Sequence, residues 1–342
     1  MAIFSVGREG GAGTPWHVHM DGQLMMGCEQ LGEALHGLIV YINQRVVAAR
    51  DDLLSVHAAA VATSDGAVMM PGASGSGKTT LCARLLQQGA AYLSDDSVAL
   101  DRNGRLLGYP KPLGFKGGTW EEFAGDGLAD LDLDYGRQIV WQVPPGRLGA
   151  STLTSADPVA IVVPRFEAHA PLQIEPLPRQ AAAAALLGQV QNLPAFGVAE
   201  ALEIIGRLAA RLPCHAVAYG DASAAAPAVL ELIGTVDPGG ARYAVIPAKS
   251  PRDTATQPFP AADVSTLCFE DGALLVRESG QFAAIDRVGA WIWPLLDGHR
   301  TVELIGAELA PLFGAPRSEI ESDVGRWIGD LVHRGFLLPP PE

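Results

Sequence analysis

The chain has 342 residues, which is long for one average domain and sufficient for two. Its 24 Lys and Arg stand against 38 Asp and Glu, a net charge of −14, and no run of basic residues is present. Nucleic-acid binders and proteins that bind anionic membranes need a concentrated basic face, so both classes are disfavoured. Four scattered cysteines without a Cys-x-x-Cys pair, and the lack of an apolar signal segment or spanning run, predict a cytoplasmic protein.

The N-terminal part of the chain predicts mixed structure that leads into an α/β domain. Residues 1–54 are expected to pack on the next domain, with a helix and then a strand within 31–47. Apolar runs at 56–63 and 67–70, separated by a Ser-Asp-Gly turn, predict two strands that lead into a glycine-rich loop. Residues 79–88 then predict a helix that ends at Gly89.

The middle of the chain continues the α/β pattern, so that one domain is expected over residues 55–235. Short apolar runs predict a strand at 91–93, a hairpin within 98–107, and strands at 158–164 and 214–219. Helices are predicted at 179–189, 199–212 and 224–233. Residues 236–262 are rich in proline and have weak periodicity, which predicts a linker.

A second, smaller domain is predicted over residues 263–342. Three short strands at 264–269, 273–276 and 281–285 are followed by three helices at 288–296, 301–313 and 317–334. From Pro260 onward, 13 acidic and 6 basic residues give this β3α3 domain a net charge of −7. That charge argues against a winged-helix domain that binds DNA.

A phosphate-binding loop is the strongest motif in the chain. The pattern G-x-x-x-x-G-K-[ST] is matched by Gly72, Ala73, Ser74, Gly75, Ser76, Gly77, Lys78 and Thr79, with Thr80 following. Glycines let backbone N–H groups converge on phosphate oxygens, and the helix that follows adds its positive N-terminal end. Lys78 is expected to reach the β- and γ-phosphates and Thr79 to ligate Mg²⁺.

Two further features near the loop suggest catalytic groups. Asp95 and Asp96 end a short predicted strand, 17 and 18 residues after Lys78. At this position one carboxylate would hold the metal and the other would accept a proton. His57 lies on the strand that precedes the loop strand. By local pattern alone, a surface turn for the Asp pair and a core position for the histidine remain open readings.

The run from Leu54 to Leu100, which contains these residues, resembles the catalytic core of HPr kinase/phosphorylase and its relatives. This resemblance implies a phosphoenolpyruvate-carboxykinase-like P-loop kinase core, with ATP and Mg²⁺. It implies that Asp95 is the general base for a serine hydroxyl, that His57 assists it, and that Asp96 lies near the metal, with the order of the two aspartates open. The family's downstream Glu-x-Arg-Gly-x-Gly-Ile signature has no counterpart here, and Lys111 or Lys116 is the candidate for the missing cation.

Residues 264–338 resemble the PqqD-like family, also called the RiPP recognition element (RiPP, ribosomally synthesised and post-translationally modified peptide). The resemblance rests on Asp271–Leu275, Asp286–Trp293, Leu296–Gly298 and Gly335–Leu337. It implies a winged three-helix domain that captures the leader of a precursor peptide as an added β-strand, with residues 281–285 as the open edge. Trp291, Trp293 and Trp327 are expected to be core residues.

Together the two resemblances predict a kinase that phosphorylates a Ser or Thr hydroxyl of a precursor peptide captured by the C-terminal domain. Two other functions stay open: a nucleotide-gated peptide chaperone with little kinase turnover, and a kinase for a small molecule such as free serine. The sequence also leaves a homo-oligomer open. His17 and His19 have the spacing of a metal pair but no acidic or cysteine partner nearby, and are expected to be strand residues.

Overall fold

The computed structural model of the chain describes residues 2–8, 10, 13–117, 119–123, 140–233, 240–248 and 256–339. Its contacts divide the chain into two compact units, which are described separately. The first comprises Met1–Leu177, Ala185–Phe196 and Leu212–Pro238; the second comprises Pro178–Ala184, Gly197–Arg211 and Gly239–Glu342. Among the described residues, no helix combines the length and the apolar character needed to cross a membrane.

The first unit begins with a three-stranded antiparallel sheet covered by a helix. The sheet has the order β1 (Phe4–Gly7), β2 (Trp16–Met20) and β3 (Gln23–Cys28), and the helix is α1 (Leu31–Ala48). The helix followed by a strand that the sequence suggested within 31–47 is instead one helix. Polar Asn43, Gln44 and Arg45 break any strand-like alternation there. His17 and His19 lie in β2, as expected.

The centre of the first unit is a mixed six-stranded sheet. Its order is β14 (Gln173–Pro176), β15 (Cys214–Tyr219), β13 (Pro158–Phe166), β6 (Gly66–Pro71), β5 (Ala58–Thr63) and β7 (Ala91–Ser94). Strand β6 has a parallel neighbour, β13, on one side and an antiparallel neighbour, β5, on the other. The sheet is therefore mixed directly beside the glycine-rich loop.

Helices cover this sheet with a continuous apolar core. Helix α2 (Lys78–Gln87) packs against α7 (Ala222–Ile233), and both contribute to the buried cluster. The strands are near-continuous apolar runs, as strands buried on both faces require. The helices α4 (Arg179–Leu187) and α5 (Leu193–Phe196) lie between β14 and β15 in sequence.

Smaller strands border the main sheet. One sheet has the order β12 (Ser155–Ala156), β9 (Leu106–Leu107), β8 (Val98–Leu100) and β4 (Leu54–Val56), which confirms the predicted hairpin within 98–107. Strands β10 (Leu113–Lys116) and β11 (Val140–Val143) form an antiparallel pair, and α3 (Thr119–Phe123) follows β10. Lys116, the last residue of β10, lines the cavity described below.

The second unit is an antiparallel sheet with helices. Its sheet has the order β16 (Ala244–Ile246), β18 (Val264–Phe269), β19 (Gly272–Arg277) and β20 (Phe282–Asp286), and β17 (Phe259–Pro260) pairs with β21 (Leu337–Leu338). Its helices are α6 (Val198–Arg211), α8 (Arg287–Ile292), α9 (Val302–Phe313) and α10 (Arg317–His333), with a 3₁₀ turn at Trp293–Leu295. The three strands and three helices expected after residue 263 are confirmed.

The structure differs from the sequence expectation at the start of this unit. The stretch 236–262, expected to be a linker, contains β16, which pairs with β18, and β17. Helix α6, expected within the continuous domain 55–235, packs on β16 and β18. The run Ala244–Ile246 is only three residues long and is followed directly by Pro247, so its strand conformation depends on its pairing with the edge of β18.

The C-terminal tryptophans have three different environments. Trp293 is buried and its Nε1 donates to Thr266 Oγ1 at 3.1 Å, and Trp327 packs against the core cluster. Trp291 is 48% exposed, with the guanidinium of Arg287 above its ring. The expectation that all three are core residues is therefore wrong for Trp291.

Candidate functional site

The glycine-rich loop connects β6 to α2, as its motif predicts. Gly77 immediately precedes the helix with a φ of 91°, a left-handed conformation that favours glycine. A Cβ at this position would collide with the hydroxyl of Tyr219 and with Phe166. The Tyr219 hydroxyl donates to the Gly77 carbonyl oxygen at 3.0 Å. The last glycine of the motif is thus required both by backbone conformation and by close packing.

Lys78 is held across the loop. Its Nζ donates to the carbonyl oxygens of Gly72 at 2.5 Å and Ala73 at 2.9 Å, and the residue is buried. Burial lowers the pKa of Lys78 to about 8, while the charges of Asp96 and Asp95 act in the opposite direction. An ammonium group positioned in this way offers a cation to an arriving anion at little cost in ordering.

Two features of the loop fit a phosphate group. Ser76 Oγ is shielded from solvent and has no hydrogen-bond partner among the described residues. A Cβ at Gly72 would lie 2.7 Å from that oxygen, so glycine keeps the space beside it open. A buried hydroxyl without a partner is uncommon and calls for an explanation such as a bound group. The donor-rich backbone at the start of α2 supplies the remaining contacts that an anion needs.

The loop forms one wall of a cavity of about 670 Å³, hereafter the phosphate cavity. Every polar site residue predicted outside the loop lines this cavity, namely His57, Asp95 and Asp96, and so do Thr79 and Thr80. His57 lies between β4 and β5, and the two aspartates follow β7. The fold therefore brings residues that are 39 positions apart in sequence into one site.

Asp95 is fully engaged by its neighbours. Its Oδ1 accepts from Lys111 Nζ at 2.7 Å and from the Tyr92 hydroxyl at 3.1 Å, and its Oδ2 accepts from the Gly114 N–H at 3.2 Å. The Asp95 side chain is 2% exposed and that of Lys111 is 11% exposed. These contacts hold Lys111 and the start of β10 in position beside Asp95. The role of Asp95 as base stays a prediction.

Asp96 forms a pair with His57. The His57 Nδ1 lies 2.7 Å from the Asp96 carbonyl oxygen and 3.2 Å from Oδ1, and Asn43 Nδ2 donates to Oδ2 at 3.2 Å. The hydrogen bond with His57, together with Lys111 and Asn43, lowers the pKa of Asp96 to about 2. A carbonyl oxygen only accepts, so Nδ1 carries the hydrogen and the lone pair of neutral His57 is on Nε2.

The two lysines that the sequence could not distinguish have different environments. Lys111 is committed to Asp95. Lys116 Nζ instead contacts Ser74 Oγ of the loop at 2.5 Å and lines the phosphate cavity. No ion pair joins Lys116 to a carboxylate in the part of the chain that the structure describes. Lys116 is therefore the better placed of the two to supply a second cation to a phosphate.

Helix α1 supplies cavity residues that sequence reasoning missed. His36, Ile39, Val40 and Asn43 share one helical face and line the cavity. Asn43 accepts from the Tyr109 hydroxyl at 2.8 Å, which orients its amide toward Asp96. Burial, with the charges of Lys111 and Lys116, lowers the pKa of His36. Ile39, Val40 and Asn43 follow His36 by three, four and seven residues, a spacing that places all four on one helical face. The sequence around them contains no feature that links this face to the phosphate loop.

Across the described residues, no three His, Cys, Asp or Glu side chains converge as a metal site. A Mg²⁺ ion that accompanies a nucleotide needs few protein ligands, since phosphates and water provide most of its coordination. Thr79 and Asp96 line the same cavity, and Asp96 is anionic at neutral pH. The side-chain oxygens of Thr79 and Asp96 therefore fit the role of metal ligands that the sequence predicts.

The second unit presents an open strand edge. Arg277 N–H donates to the Gln281 carbonyl at 2.9 Å, and β20 is antiparallel to β19 with Leu274 opposite Ala284. Antiparallel pairing alternates inward and outward groups, so the backbone of Ala284 points away from β19. Within the described ranges no strand pairs with this side of β20. The edge lies where the sequence predicted it, at residues 281–285.

Comparison with known proteins supports one part of this description. Residues 272–337, about a fifth of the chain, match the family model described as Coenzyme PQQ synthesis protein D (PqqD). The match supports a RiPP recognition element in the second unit, and with it the binding of a precursor peptide in a biosynthetic context. A search of curated proteins gives no match to the chain.

Proposed function

We propose that this protein is an ATP- and Mg²⁺-dependent kinase that transfers the γ-phosphate to a Ser or Thr hydroxyl of a ribosomally made precursor peptide. The observation that carries the proposal is the phosphate cavity. It combines a buried lysine on a glycine-rich loop with a histidine–aspartate pair. The antiparallel partner of β6 also fits a phosphoenolpyruvate-carboxykinase-like core better than a doubly wound sheet.

Phosphoryl transfer depends mainly on positioning and charge, and the cavity offers groups for both. Lys78 and Lys116 face the phosphates, and the N–H groups of the glycine-rich loop hold the phosphates in place. In the proposed step the acceptor oxygen forms a bond to the γ-phosphorus while the bond to the bridging oxygen breaks and ADP leaves. The hydroxyl proton passes to His57 Nε2, and Asp96 orients the ring through its contact with Nδ1.

Thr79 and Asp96 are the residues that would hold Mg²⁺. When bound, Mg²⁺ neutralises charge on the phosphate oxygens. Asp95, in contrast, keeps Lys111 and the β10 segment in position through its buried contacts.

The second unit supplies the acceptor in this account. A leader peptide bound along β20 keeps the rest of the precursor on the same chain as the kinase site. Such tethering raises the effective concentration of the acceptor to about the millimolar range. The PqqD match supports the peptide as the partner.

The histidine–aspartate pair gives the direct test of the chemistry. We expect His57→Ala and Asp96→Asn each to slow phosphate transfer by about a hundredfold or more, because each removes part of one proton-transfer unit. The double variant should lose little beyond the worse single variant, since the two groups act together. Nucleotide affinity, measured by calorimetry with Mg²⁺-free ADP, should stay within about threefold. Additive losses in the double variant would contradict the pairing.

The same substitution at Lys111 and at Lys116 should affect two different properties, folding stability at the first and nucleotide binding at the second. Lys111→Met leaves Asp95 buried without its cation, so the free energy of unfolding should fall by about 3 kcal/mol. Lys116→Met should leave the free energy of unfolding almost unchanged and weaken ATP binding by about tenfold. Urea unfolding and nucleotide titration of both variants measure the two effects. Equal stability losses would contradict the assignment of Lys116 to the phosphates.

Nucleotide binding should depend on pH through Lys78. The pKa of this lysine is about 8 in the free protein, and bound phosphates favour its protonated form and raise that pKa. Affinity should therefore be constant below about pH 8 and fall by up to about tenfold per unit above it. Calorimetry with Mg²⁺-free ADP at about pH 7 and pH 9.5 should show weaker binding and proton uptake at the higher pH. Equal affinity at both values would contradict a buried, loop-bound ammonium.

A further inference from the structure

A second cavity of about 440 Å³ adjoins the phosphate cavity. It lies between the end of β3 and the first turns of α1, and its walls include Cys28, Gln30 and Glu33. His36 and Val140 line both cavities, so these two side chains form a shared boundary. The two cavities are therefore neighbours, and an occupant of either one contacts side chains that also line the other.

One lining residue of each cavity carries an unpartnered hydrogen-bond acceptor. Gln142 lines the phosphate cavity and Gln30 lines the second cavity, and the side-chain oxygen of each is shielded from solvent without a partner among the described residues. The amide nitrogen of Gln142 is already engaged with His36 Nδ1 at 3.3 Å. Buried carbonyl oxygens without donors are costly, so both positions favour a ligand that brings N–H or O–H groups.

The second cavity is acidic, whereas the charges of the phosphate cavity balance. Three lysines and the carboxylates of Asp95, Asp96 and Glu122 line the phosphate cavity. The second cavity is lined by Glu29 and Glu33, and no lysine or arginine is among its described lining residues. A peptide acceptor that occupies both cavities has a hydroxyl that accepts the phosphate at one end and a positive charge at the other.

We propose that the second cavity is the acceptor subsite of the kinase, and that it selects a Ser or Thr with a lysine or arginine next to it in the precursor peptide. This inference rests on the proposed function. The hydroxyl then lies in the phosphate cavity, beside His57, and the peptide continues past the boundary formed by His36 and Val140. The basic side chain enters the second cavity and meets Glu29 and Glu33, and peptide N–H groups donate to Gln30 and Gln142.

Cys28 provides a readout that does not require kinase activity. The thiol lines the second cavity, so an occupant should slow its alkylation by iodoacetamide, while Cys268 in the other unit serves as an internal reference. The probes are a capped peptide in which two lysines precede a serine and a matched peptide in which two glutamates do. We expect the lysine peptide alone to protect Cys28, by about fivefold or more at saturation. The protection should disappear in a Glu29→Gln, Glu33→Gln variant and persist in the matched surface variant Glu231→Gln.

Kinetics with the same peptides completes the test. The ratio of kcat/KM for the lysine peptide over the glutamate peptide should fall by about tenfold in the double glutamine variant, with ATP affinity unchanged. Equal labelling of Cys28 with both peptides, or equal kcat/KM for both, overturns the acceptor subsite. Protection by free serine and not by the capped peptide overturns the peptide form of the proposal. Protection by the lysine peptide without any phosphate gain supports the subsite and contradicts the kinase function instead.

Discussion

Replacement of Lys78 by methionine should slow phosphate transfer by about a thousandfold, the largest activity effect that the structure predicts for a single side chain. The ammonium group is held by the carbonyls of Gly72 and Ala73 and is buried beside the loop. It is the cation best placed to meet charge that develops on the transferred phosphoryl group, and loss of one such preorganised group commonly costs a hundredfold to a thousandfold, or about 3–4 kcal/mol. Mass spectrometry of the precursor after incubation with Mg-ATP measures the loss.

Stability and nucleotide affinity separate this effect from misfolding. Methionine fills a similar volume and removes the cost of burying a charge, so the variant should unfold at a denaturant concentration close to that of the parent. ADP affinity should fall by about tenfold to a hundredfold, because a charge-assisted contact to phosphate is lost. Arg165→Met, at a largely exposed cation of the same unit, is the matched control and should change neither property. Full transfer by the Lys78 variant would remove the phosphate loop from the reaction.

Replacement of Ala284 by proline should abolish phosphorylation that depends on the leader peptide. Ala284 is exposed on β20, and its backbone N–H points to the open edge rather than to β19. Proline removes this donor and places its ring where an added strand would pair, yet it keeps the β19–β20 ladder, as proline at sheet edges does. We expect leader affinity to fall by at least about tenfold.

Two variants control for the fold of the edge strand. Ala284→Val keeps the N–H and favours the strand, so it should bind leader peptide as the parent does. Ala283→Pro removes a donor that faces β19 within the buried core, and should destabilise the unit itself. Leader binding by fluorescence anisotropy and the far-ultraviolet spectrum distinguish these cases. Normal leader binding by Ala284→Pro would exclude β20 as the docking edge.

The parts of the candidate site that depend on local pattern can be predicted from the sequence. The residues of the glycine-rich loop are contiguous, and a strand before it and a helix after it were readable from periodicity. Strands β18–β20 were likewise readable because turns with glycine separate them. The C-terminal domain that the resemblance implied is supported by the family match.

The relations between distant residues could not be read in the same way. Asp95 and Asp96 are adjacent in sequence, but one is engaged by Lys111 and the other by His57, and only the fold decides which. Asn43 reaches Asp96 from a helix more than 50 residues earlier in the chain. Lys111 and Lys116 are both loop lysines by pattern, and their partners in the fold, Asp95 for one and Ser74 for the other, separate them. Side-chain roles at such a site follow from tertiary contacts that periodicity does not encode.

Intact-mass spectrometry of the precursor peptide encoded beside the gene, incubated with the full chain and Mg-ATP, tests the central claim most directly. We expect a gain of one phosphate on a Ser or Thr. This gain should be lost with Lys78→Met and with Ala284→Pro, and retained with Ala284→Val. Leader binding without any phosphate gain in the parent protein would contradict the kinase and favour a nucleotide-gated peptide chaperone.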